Sequence, residues 1–210
     1  MPNKRTFLDN HYCPLFRIGK RADLLYPAFF FMPSVVNSAM FKNIILTGFM
    51  GVGKTSVGTQ LAKDLGYAFV DTDTLIEADQ RMTISTIFAK YGEPYFRELE
   101  ARIVREVTGR ENQVVATGGG AVIGDMNREA FKQAGLVVCL AARPEVIFDR
   151  IKHEIHRPLL QTPDPLAKIK EMLDSRERFY AQADITIDTS EKSVNQVISA
   201  IKERISHAYC

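Results

Sequence analysis

Short apolar segments alternate with longer amphipathic stretches along residues 40–210 of this chain. Each apolar segment is only a few residues long and rich in β-branched or other apolar residues, as expected for buried parallel strands. The five segments are Asn43–Thr47, Ala68–Val70, Gln113–Thr117, Val137–Leu140 and Asp184–Ile187. Strands that alternate with helices favour a parallel sheet covered on both faces. The pattern therefore predicts an α/β fold, a three-layer α/β/α domain with a central five-stranded parallel sheet.

The amphipathic stretches place apolar residues three or four positions apart, which is the spacing of one helix face. Residues expected to face the core are Val57, Leu61, Ala62 and Leu65 in one helix, Phe96, Leu99, Ile103 and Val107 in another, and Val194, Val197, Ile201 and Ile205 in the last. A short helix is predicted over 144–152. Asp164 followed by Pro165 is typical of an N-cap and a first-turn proline, so a further helix is predicted to begin there.

The first 39 residues do not share this alternation. Their most apolar part, LLYPAFFFMPSVV, contains two prolines and is too short to span a bilayer. Basic residues upstream suggest a targeting segment, but no convincing small-residue cleavage site follows them. Residues 1–39 are therefore predicted to be a poorly ordered extension or the result of a mis-chosen start ahead of Met40. Residues 40–210 are predicted to form the folded domain.

Composition and charge narrow the range of partners. The chain has 210 residues, of which 46% are hydrophobic, and its net charge of only +2 gives no electrostatic footprint for nucleic acid. Its three cysteines lie far apart, without metal-ligand spacing or a disulfide framework, which favours a reducing compartment. We therefore expect a cytoplasmic protein that binds neither nucleic acid nor a membrane, with a monomer as the default state.

The first predicted strand leads into the segment GFMGVGKTSVG, residues 48–58, which fits the pattern G-x-x-x-x-G-K-[ST]. With a strand before it and a helical stripe after it, this is a strand-to-helix turn whose backbone N–H groups can wrap phosphates. Lys54 can reach the β- and γ-phosphates, and the Thr55 hydroxyl can bind Mg²⁺. The residues expected to bind ATP here are Gly48, Gly51, Val52, Gly53, Lys54, Thr55 and Ser56.

Polar residues or glycines also follow the second and third strands. Asp71 and Asp73 lie two residues apart, so they project to the same side if the chain is still extended there. Next to a triphosphate, one carboxylate can support Mg²⁺, and the other can orient or deprotonate an attacking hydroxyl. No aspartate directly follows the third strand, so Asp71 is the expected metal partner of Thr55. The segment TGGG, residues 117–120, contains three glycines, so a ligand can approach its backbone closely. Because the carboxyl ends of parallel strands lie at one edge of a sheet, the segments that follow the first three strands are expected to form one ligand site.

Three arginines are placed to bind anions. Arg97 is predicted in the first turn of a helix, where Glu100, three residues on, can orient it. Arg176 lies on an inward-facing helix stripe, and its planar fork suits a carboxylate. Arg157 lies in a polar, proline-rich segment at about 151–164. This segment is predicted to be a mobile lid that brings a cation over the phosphates and excludes water.

Taken in order, GFMGVGKTSVG, DTD, GEPYFRELE, ATGGGAV, RPLL and the pair Arg176 and Tyr180 resemble the shikimate kinase family over about residues 41–190. The resemblance is specific because six motifs agree in order and spacing, whereas a phosphate loop alone indicates only a superfamily. It implies a nucleoside-monophosphate-kinase-like P-loop fold with ATP and Mg²⁺ on the donor side. It also implies the 3-hydroxyl of shikimate as acceptor, in a step of chorismate and aromatic amino-acid biosynthesis.

The resemblance implies roles for individual residues as well. Asp73 would hold the reacting hydroxyl and act as the base, and Lys54 and Arg157 would be the other catalytic groups, on the phosphates. Arg150 matches a family position near the adenine. The implied metal ligands are Thr55 and Asp71, and the implied shikimate-binding residues are Asp73, Arg97, Gly118, Gly119, Gly120 and Arg176.

Two alternatives stay open on the sequence alone. Another small-molecule kinase of the same fold, such as gluconate kinase or a nucleoside monophosphate kinase, shares the phosphate loop. The latter should also stack a second base and grip a second phosphate. A non-catalytic ATP-binding module is the other alternative, but the intact set of Lys54, Thr55, Asp71 and Asp73 argues against a decayed site.

Overall fold

A computed structural model describes residues 41–152 and 162–208 of the protein, with side chains up to residue 206. The strands form a parallel five-stranded sheet in the order β2-β3-β1-β4-β5. They are β1 (Asn43–Thr47), β2 (Ala68–Asp71), β3 (Gln113–Ala116), β4 (Leu136–Ala141) and β5 (Ile185–Asp188). All five strand predictions are confirmed, since every observed boundary lies within one residue of the predicted boundary.

The central strand β1 shows why the strand segments are continuously apolar. All of its residues are buried, because it pairs with β3 on one side and with β4 on the other. Leu46, for example, is in register with Ala116 and with Val138. Successive side chains alternate between the two faces of the sheet, so Leu46 belongs to one core cluster and Ile45 to the other.

Helices pack on both faces of the sheet. They are α1 (Lys54–Leu65), α2 (Thr72–Gln80), α3 (Ile84–Thr108), α4 (Asp125–Ala134), α5 (Pro144–Ile151), α6 (Pro165–Tyr180) and α7 (Val194–Ala208), with a 3-10 turn at Ala121–Ile123. One core cluster contains Leu61 of α1 and Ile201 of α7. The other contains Ile76 of α2 and Val104 of α3. The predicted three-layer α/β/α arrangement is therefore confirmed.

The chain turns into α2 directly after β2, so Asp71 is still extended whereas Asp73 is already helical. The condition under which the two carboxylates would project to the same side, an extended chain through both residues, is therefore not met. The Asp71 carboxylate accepts hydrogen bonds from the backbone nitrogens of Asp73 and Thr74 and thereby caps α2. Because this cap stabilises a helical turn at once, Asp73 lies in the first turn of α2. The sequence pattern does not predict this helix.

A sharp break in α3 shifts Arg97 by one turn relative to the prediction. Gly92 has φ 79° and ψ 176°, and Pro94 follows it, so the helical path restarts after Gly92. Arg97 therefore lies in the second turn of the restarted segment and not in its first. The buried stripe on this helix is confirmed and consists of Phe96, Leu99, Ile103 and Val107.

The later helices agree with the predictions except at one position. α6 begins as expected, because the Asp164 carboxylate accepts a hydrogen bond from Ala167 N at 2.9 Å and Pro165 lies in the first turn. In α7 the predicted stripe residues Val197, Ile201 and Ile205 are buried, but Val194 is 38% exposed. Val194 differs because the first turn of α7 borders an open cleft instead of the sheet.

Two predicted segments lie wholly or largely outside the described residues. They are the N-terminal extension at 1–39 and most of the lid at 151–164, of which residues 153–161 are not described. The division of the chain near residue 40 therefore stays a prediction. Among the helices of the described ranges, none is long and apolar enough to cross a membrane.

Candidate active site

The phosphate loop joins β1 to α1 at the carboxyl edge of the sheet. Gly48 has φ 129°, and a side chain there would overlap the carbonyl oxygen of Leu140 on β4, so only glycine fits this part of the loop. α1 begins at Lys54 behind Gly53, which provides no side-chain cap. The N–H groups in the first turn of α1 are therefore available to bind an anion in the loop.

Lys54 and Thr55 lie in the first turn of α1 and contact different partners. Lys54 Nζ donates hydrogen bonds to the carbonyl oxygens of Gly48 and Phe49, at 2.8 and 2.9 Å. Thr55 Oγ1 donates to Asp71 Oδ2 at 3.1 Å. The Lys54 ammonium group is thus held by the backbone at the start of the phosphate loop, while the Thr55 hydroxyl is hydrogen-bonded to the Asp71 carboxylate at the end of β2.

Asp73 also reaches the site, although the chain around it is helical. Its side chain lines the same cleft as Lys54 and Thr55, and a Cβ built on Gly118 would lie 2.6 Å from Asp73 Oδ1. Thr72 supports this approach, because its buried hydroxyl accepts a hydrogen bond from Gly118 N at 3.1 Å. The first turn of α2 therefore holds the Asp73 carboxylate against the backbone that follows β3.

A buried carboxylate, Glu100, lies near Asp73 and orients Arg97. Arg97 Nη1 donates to Glu100 Oε2 at 2.8 Å, which confirms the predicted pair three residues apart. The exposed Glu93 holds another side of the guanidinium, since its Oε1 accepts from Arg97 Nη2 at 2.9 Å. Burial raises the pKa of Glu100, an effect that Arg97 opposes and the charge of Asp73 reinforces. The sequence does not predict this burial, because a glutamate in a helix is usually exposed.

Arg176 and Tyr180 approach the site from α6 on its inward stripe. Arg176 Nη1 and Tyr180 Oη both donate hydrogen bonds to the Gly119 carbonyl oxygen, at 3.3 and 2.6 Å. The guanidinium carbon of Arg176 also lies 5.6 Å from the centre of the Phe49 ring. The predicted inward direction of Arg176 is confirmed, whereas its anionic partner stays a prediction.

The glycine segment 118–120 lies between the two arginines and the aspartate. A Cβ built on Gly120 would be only 2.7 and 2.8 Å from the two terminal nitrogens of Arg97, so a larger residue there would displace the guanidinium. The middle glycine contacts Arg176, and the first one faces Asp73. The structure thus brings Arg97, Arg176 and Asp73 around one short piece of backbone.

An open cleft of about 530 Å³ extends from the phosphate loop to the beginning of α7. Arg150 borders it and is fixed by hydrogen bonds to the carbonyl oxygens of Thr189, at 2.7 Å, and Gly51, at 3.2 Å. Sequence reasoning missed the wall of the cleft formed by Thr189, Lys192, Ser193 and Val194. Thr189 directly follows β5, so the tendency of ligand groups to follow strand ends is a signal that could have found it.

One predicted site residue has no described position. Arg157 lies in the part of the chain that the structure does not describe, so its place over the phosphates stays a prediction. The other predicted site residues border the phosphate loop, the cleft or the glycine segment.

Known proteins that resemble this chain agree in sequence and in fold. A family model described as shikimate kinase matches residues 50–206. The shikimate kinase of Thermodesulfovibrio yellowstonii is 46% identical over 169 residues, which cover 79% of this chain and 98% of that protein. The shikimate kinase of Geobacter sulfurreducens is 48% identical over 160 residues, or 76% of this chain and 88% of its own. The solved structure of shikimate kinase from Acinetobacter baumannii in complex with shikimate matches with a TM-score of 0.77 and 40% identity, covering 80% of this chain and 94% of that chain.

Proposed function

This chain belongs to the shikimate kinase family, and we propose that it transfers the γ-phosphoryl group of ATP to the 3-hydroxyl of shikimate. The products are shikimate 3-phosphate and ADP, in a step of chorismate and aromatic amino-acid biosynthesis. The observation that carries this proposal is the gathering of two arginines and one aspartate around residues 118–120, beside the phosphate loop. A ring acid with several hydroxyl groups needs that combination of charge and bare backbone. We expect the enzyme to act as a cytoplasmic monomer.

ATP binds as the donor at the phosphate loop. N–H groups of the loop and of the first turn of α1 surround its phosphates. Lys54 exchanges its two carbonyl contacts within the loop for the β- and γ-phosphates. The nucleoside then extends along the cleft toward Arg150, which Thr189 holds in place.

Mg²⁺ is the expected metal, with Thr55 and Asp71 as its protein ligands. Their side-chain oxygens lie 3.1 Å apart, and a hydroxyl with a carboxylate is a donor set that suits a hard cation. Among the side chains that the structure describes, in residues 41–152 and 162–206, no three His, Cys, Asp or Glu groups gather as a metal centre. Phosphate oxygens and water would complete the ligand set, and the bound cation would neutralise negative charge on the phosphates.

Shikimate binds as the acceptor at the glycine segment. Its carboxylate pairs with Arg97 and Arg176, whose planar forks match two carboxylate oxygens. Gly120 leaves the space beside Arg97 open because it has no side chain. Asp73 accepts a hydrogen bond from the 3-hydroxyl and orients it toward the donor.

The chemical step is one in-line displacement. The 3-hydroxyl oxygen forms a bond to the γ-phosphorus, while the bond between that phosphorus and the bridging oxygen of ADP breaks. The hydroxyl proton passes to the Asp73 carboxylate. Lys54 stabilises the negative charge of the phosphoryl group during its transfer. The family resemblance implies the same role for Arg157. The lid predicted at about 151–164 excludes water, so that ATP is not hydrolysed instead.

The rate of ADP release with different acceptors tests this function. Shikimate is expected to raise ATP turnover strongly, whereas gluconate and AMP are expected to leave it close to the rate without an acceptor. The reverse preference would assign the chain to another small-molecule kinase of this fold. A protein that binds ATP in a calorimeter but gives neither heat nor turnover with shikimate would be a non-catalytic module.

A further inference from the structure

Tyr180, the last residue of α6, contacts the acceptor site but has no role in the reaction described above. Its hydroxyl donates a hydrogen bond of 2.6 Å to the Gly119 carbonyl oxygen. Arg176 Nη1 approaches the same oxygen at 3.3 Å. Two donors one helical turn apart therefore converge on one backbone acceptor. The contact from Tyr180 is much the shorter and is the stronger of the two.

The Tyr180 hydroxyl is a permanent donor. Burial raises the pKa of Tyr180 to about 12, although the positive charge of Arg176 opposes this effect. The phenol therefore keeps its proton over the physiological pH range. As a result, the Gly119 carbonyl oxygen is satisfied whether or not Arg176 contacts it.

Gly119 lies where the donor and acceptor sites meet. A Cβ built on Gly119 would lie 3.3 Å from Met50 N and 3.6 Å from Gly48 O, both in the phosphate loop. In the planar trans peptide after Gly119, the carbonyl oxygen and the N–H of Gly120 point in opposite directions. Holding the oxygen toward α6 therefore also fixes the direction of the Gly120 N–H.

We propose that Tyr180 is a positioning residue for the acceptor and acts through Gly119 and Arg176. Because the Tyr180 hydroxyl satisfies the Gly119 carbonyl oxygen, Arg176 can give up its long contact and turn its fork to the substrate carboxylate. Without that hydroxyl, the carbonyl oxygen and the substrate compete for one guanidinium group. This inference rests on the proposed function, since it concerns the same acceptor site.

The change Tyr180→Phe removes the donor and keeps the ring. In the full-length chain, the KM for shikimate should rise about tenfold, as for one buried hydrogen bond left unmade, while the KM for ATP changes less than about twofold. Tyr67→Phe is the matched control, because Tyr67 Oη donates to the Phe41 carbonyl oxygen at 2.8 Å outside the cleft. Neither KM should change in that variant.

A double-mutant cycle separates this positioning role from an independent effect. In an Arg176→Ala background, Tyr180→Phe should alter kcat/KM for shikimate less than about twofold, since no guanidinium is left to be released. An equal loss in both backgrounds, an unchanged shikimate KM in the single variant, or a parallel rise of the ATP KM overturns the proposal. Each kinetic effect is expressed relative to the wild-type chain. A failure of the proposed function is distinguishable from a failure of this inference, because in that case the wild-type chain itself would not turn over shikimate.

The melting temperature of each variant, measured with and without an ATP analogue, tests whether the substitution damages the fold. Bound nucleotide stabilises the native state, so a moderately weakened variant can still be assayed. The proposal expects Tyr180→Phe and Tyr67→Phe to melt at similar temperatures when nucleotide is bound. If Tyr180→Phe melts far lower or does not fold, the hydroxyl acts through stability and the proposal is overturned.

Discussion

Glu100 and Arg97 form an ion pair one turn apart on α3, with a nitrogen–oxygen distance of 2.8 Å. Only 1% of the Glu100 side chain is exposed, against 28% of the Arg97 side chain. The buried carboxylate thus fixes the guanidinium whose terminal nitrogens face Gly120. This arrangement has an electrostatic cost, because Asp73 adds a second negative charge nearby.

The raised pKa of Glu100 predicts how stability depends on pH. Its carboxyl group binds protons more readily in the folded chain than in the unfolded chain. Its contribution to stability is therefore full below the unfolded-state pKa and is lost as the pH rises through the folded-state pKa. From about pH 4 upward, the free energy of unfolding should fall relative to that of Glu100→Gln. Denaturant unfolding of both chains at several pH values measures this difference, and a difference that stays constant or rises with pH contradicts it.

Asp73→Asn keeps the size of the side chain but removes its ability to take a proton. We expect kcat to fall by about two to four orders of magnitude, the usual contribution of a general base. Binding of an ATP analogue should survive, because Asp73 acts on the acceptor. Asp79→Asn is the matched control on α2, since Asp79 pairs with Arg102 at the surface. Near-normal turnover of Asp73→Asn would show that this carboxylate is neither base nor orienter.

Arg97→Lys keeps the positive charge but loses the planar fork. The KM for shikimate should rise about ten- to a hundredfold, with little change in the KM for ATP, because a lysine cannot bind a carboxylate through two parallel hydrogen bonds. Arg102→Lys, on the exposed side of the same helix, is the control and should behave like the unchanged chain. A similar rise of both KM values in Arg97→Lys would mean that Arg97 supports the whole site and not the acceptor carboxylate.

Gly120→Ala should weaken acceptor binding without touching the donor. The new methyl group would lie 2.7 Å from Arg97 Nη2 and displace the guanidinium. Calorimetric titration should show about a tenfold or greater loss of shikimate affinity and an unchanged affinity for an ATP analogue. Gly109→Ala is the control, because its nearest neighbour would be 3.5 Å away. Equal shikimate affinity in the two variants would refute the close packing of Gly120 on Arg97.

Most of the fold can be predicted from the sequence, and the exceptions have local causes. Strands that are buried on both faces leave continuous apolar runs, as in Asn43–Thr47, so all five are recognisable. α2 is not recognisable from its apolar pattern, because Ile76 is its only fully buried apolar residue and no periodic stripe results. The start of α2 depends on the cap that Asp71 provides. In the sequence pattern, Asp71 is equally compatible with the end of a strand.

The candidate site is predictable where it depends on position along the chain. Lys54 and Asp73 follow strand ends, and Arg176 lies on a regular helix stripe, so their spacing along the chain predicts that they lie at the candidate site. The burial of Glu100 and the hydrogen bond from Tyr180 to Gly119 are different. They depend on contacts between segments that are distant in sequence, and no local spacing reveals such contacts.

The position of phosphorus in the product is the sharpest test of the proposed reaction. The full-length chain is incubated with ATP, Mg²⁺ and shikimate, and the product is examined by phosphorus–proton correlation NMR. We expect a phosphate ester whose phosphorus correlates with the ring proton at carbon 3, formed in equal amount with ADP. Inorganic phosphate alone, or a phosphorus that correlates with a different ring proton, would be incompatible with an acceptor whose 3-hydroxyl is held by Asp73 toward the phosphate loop.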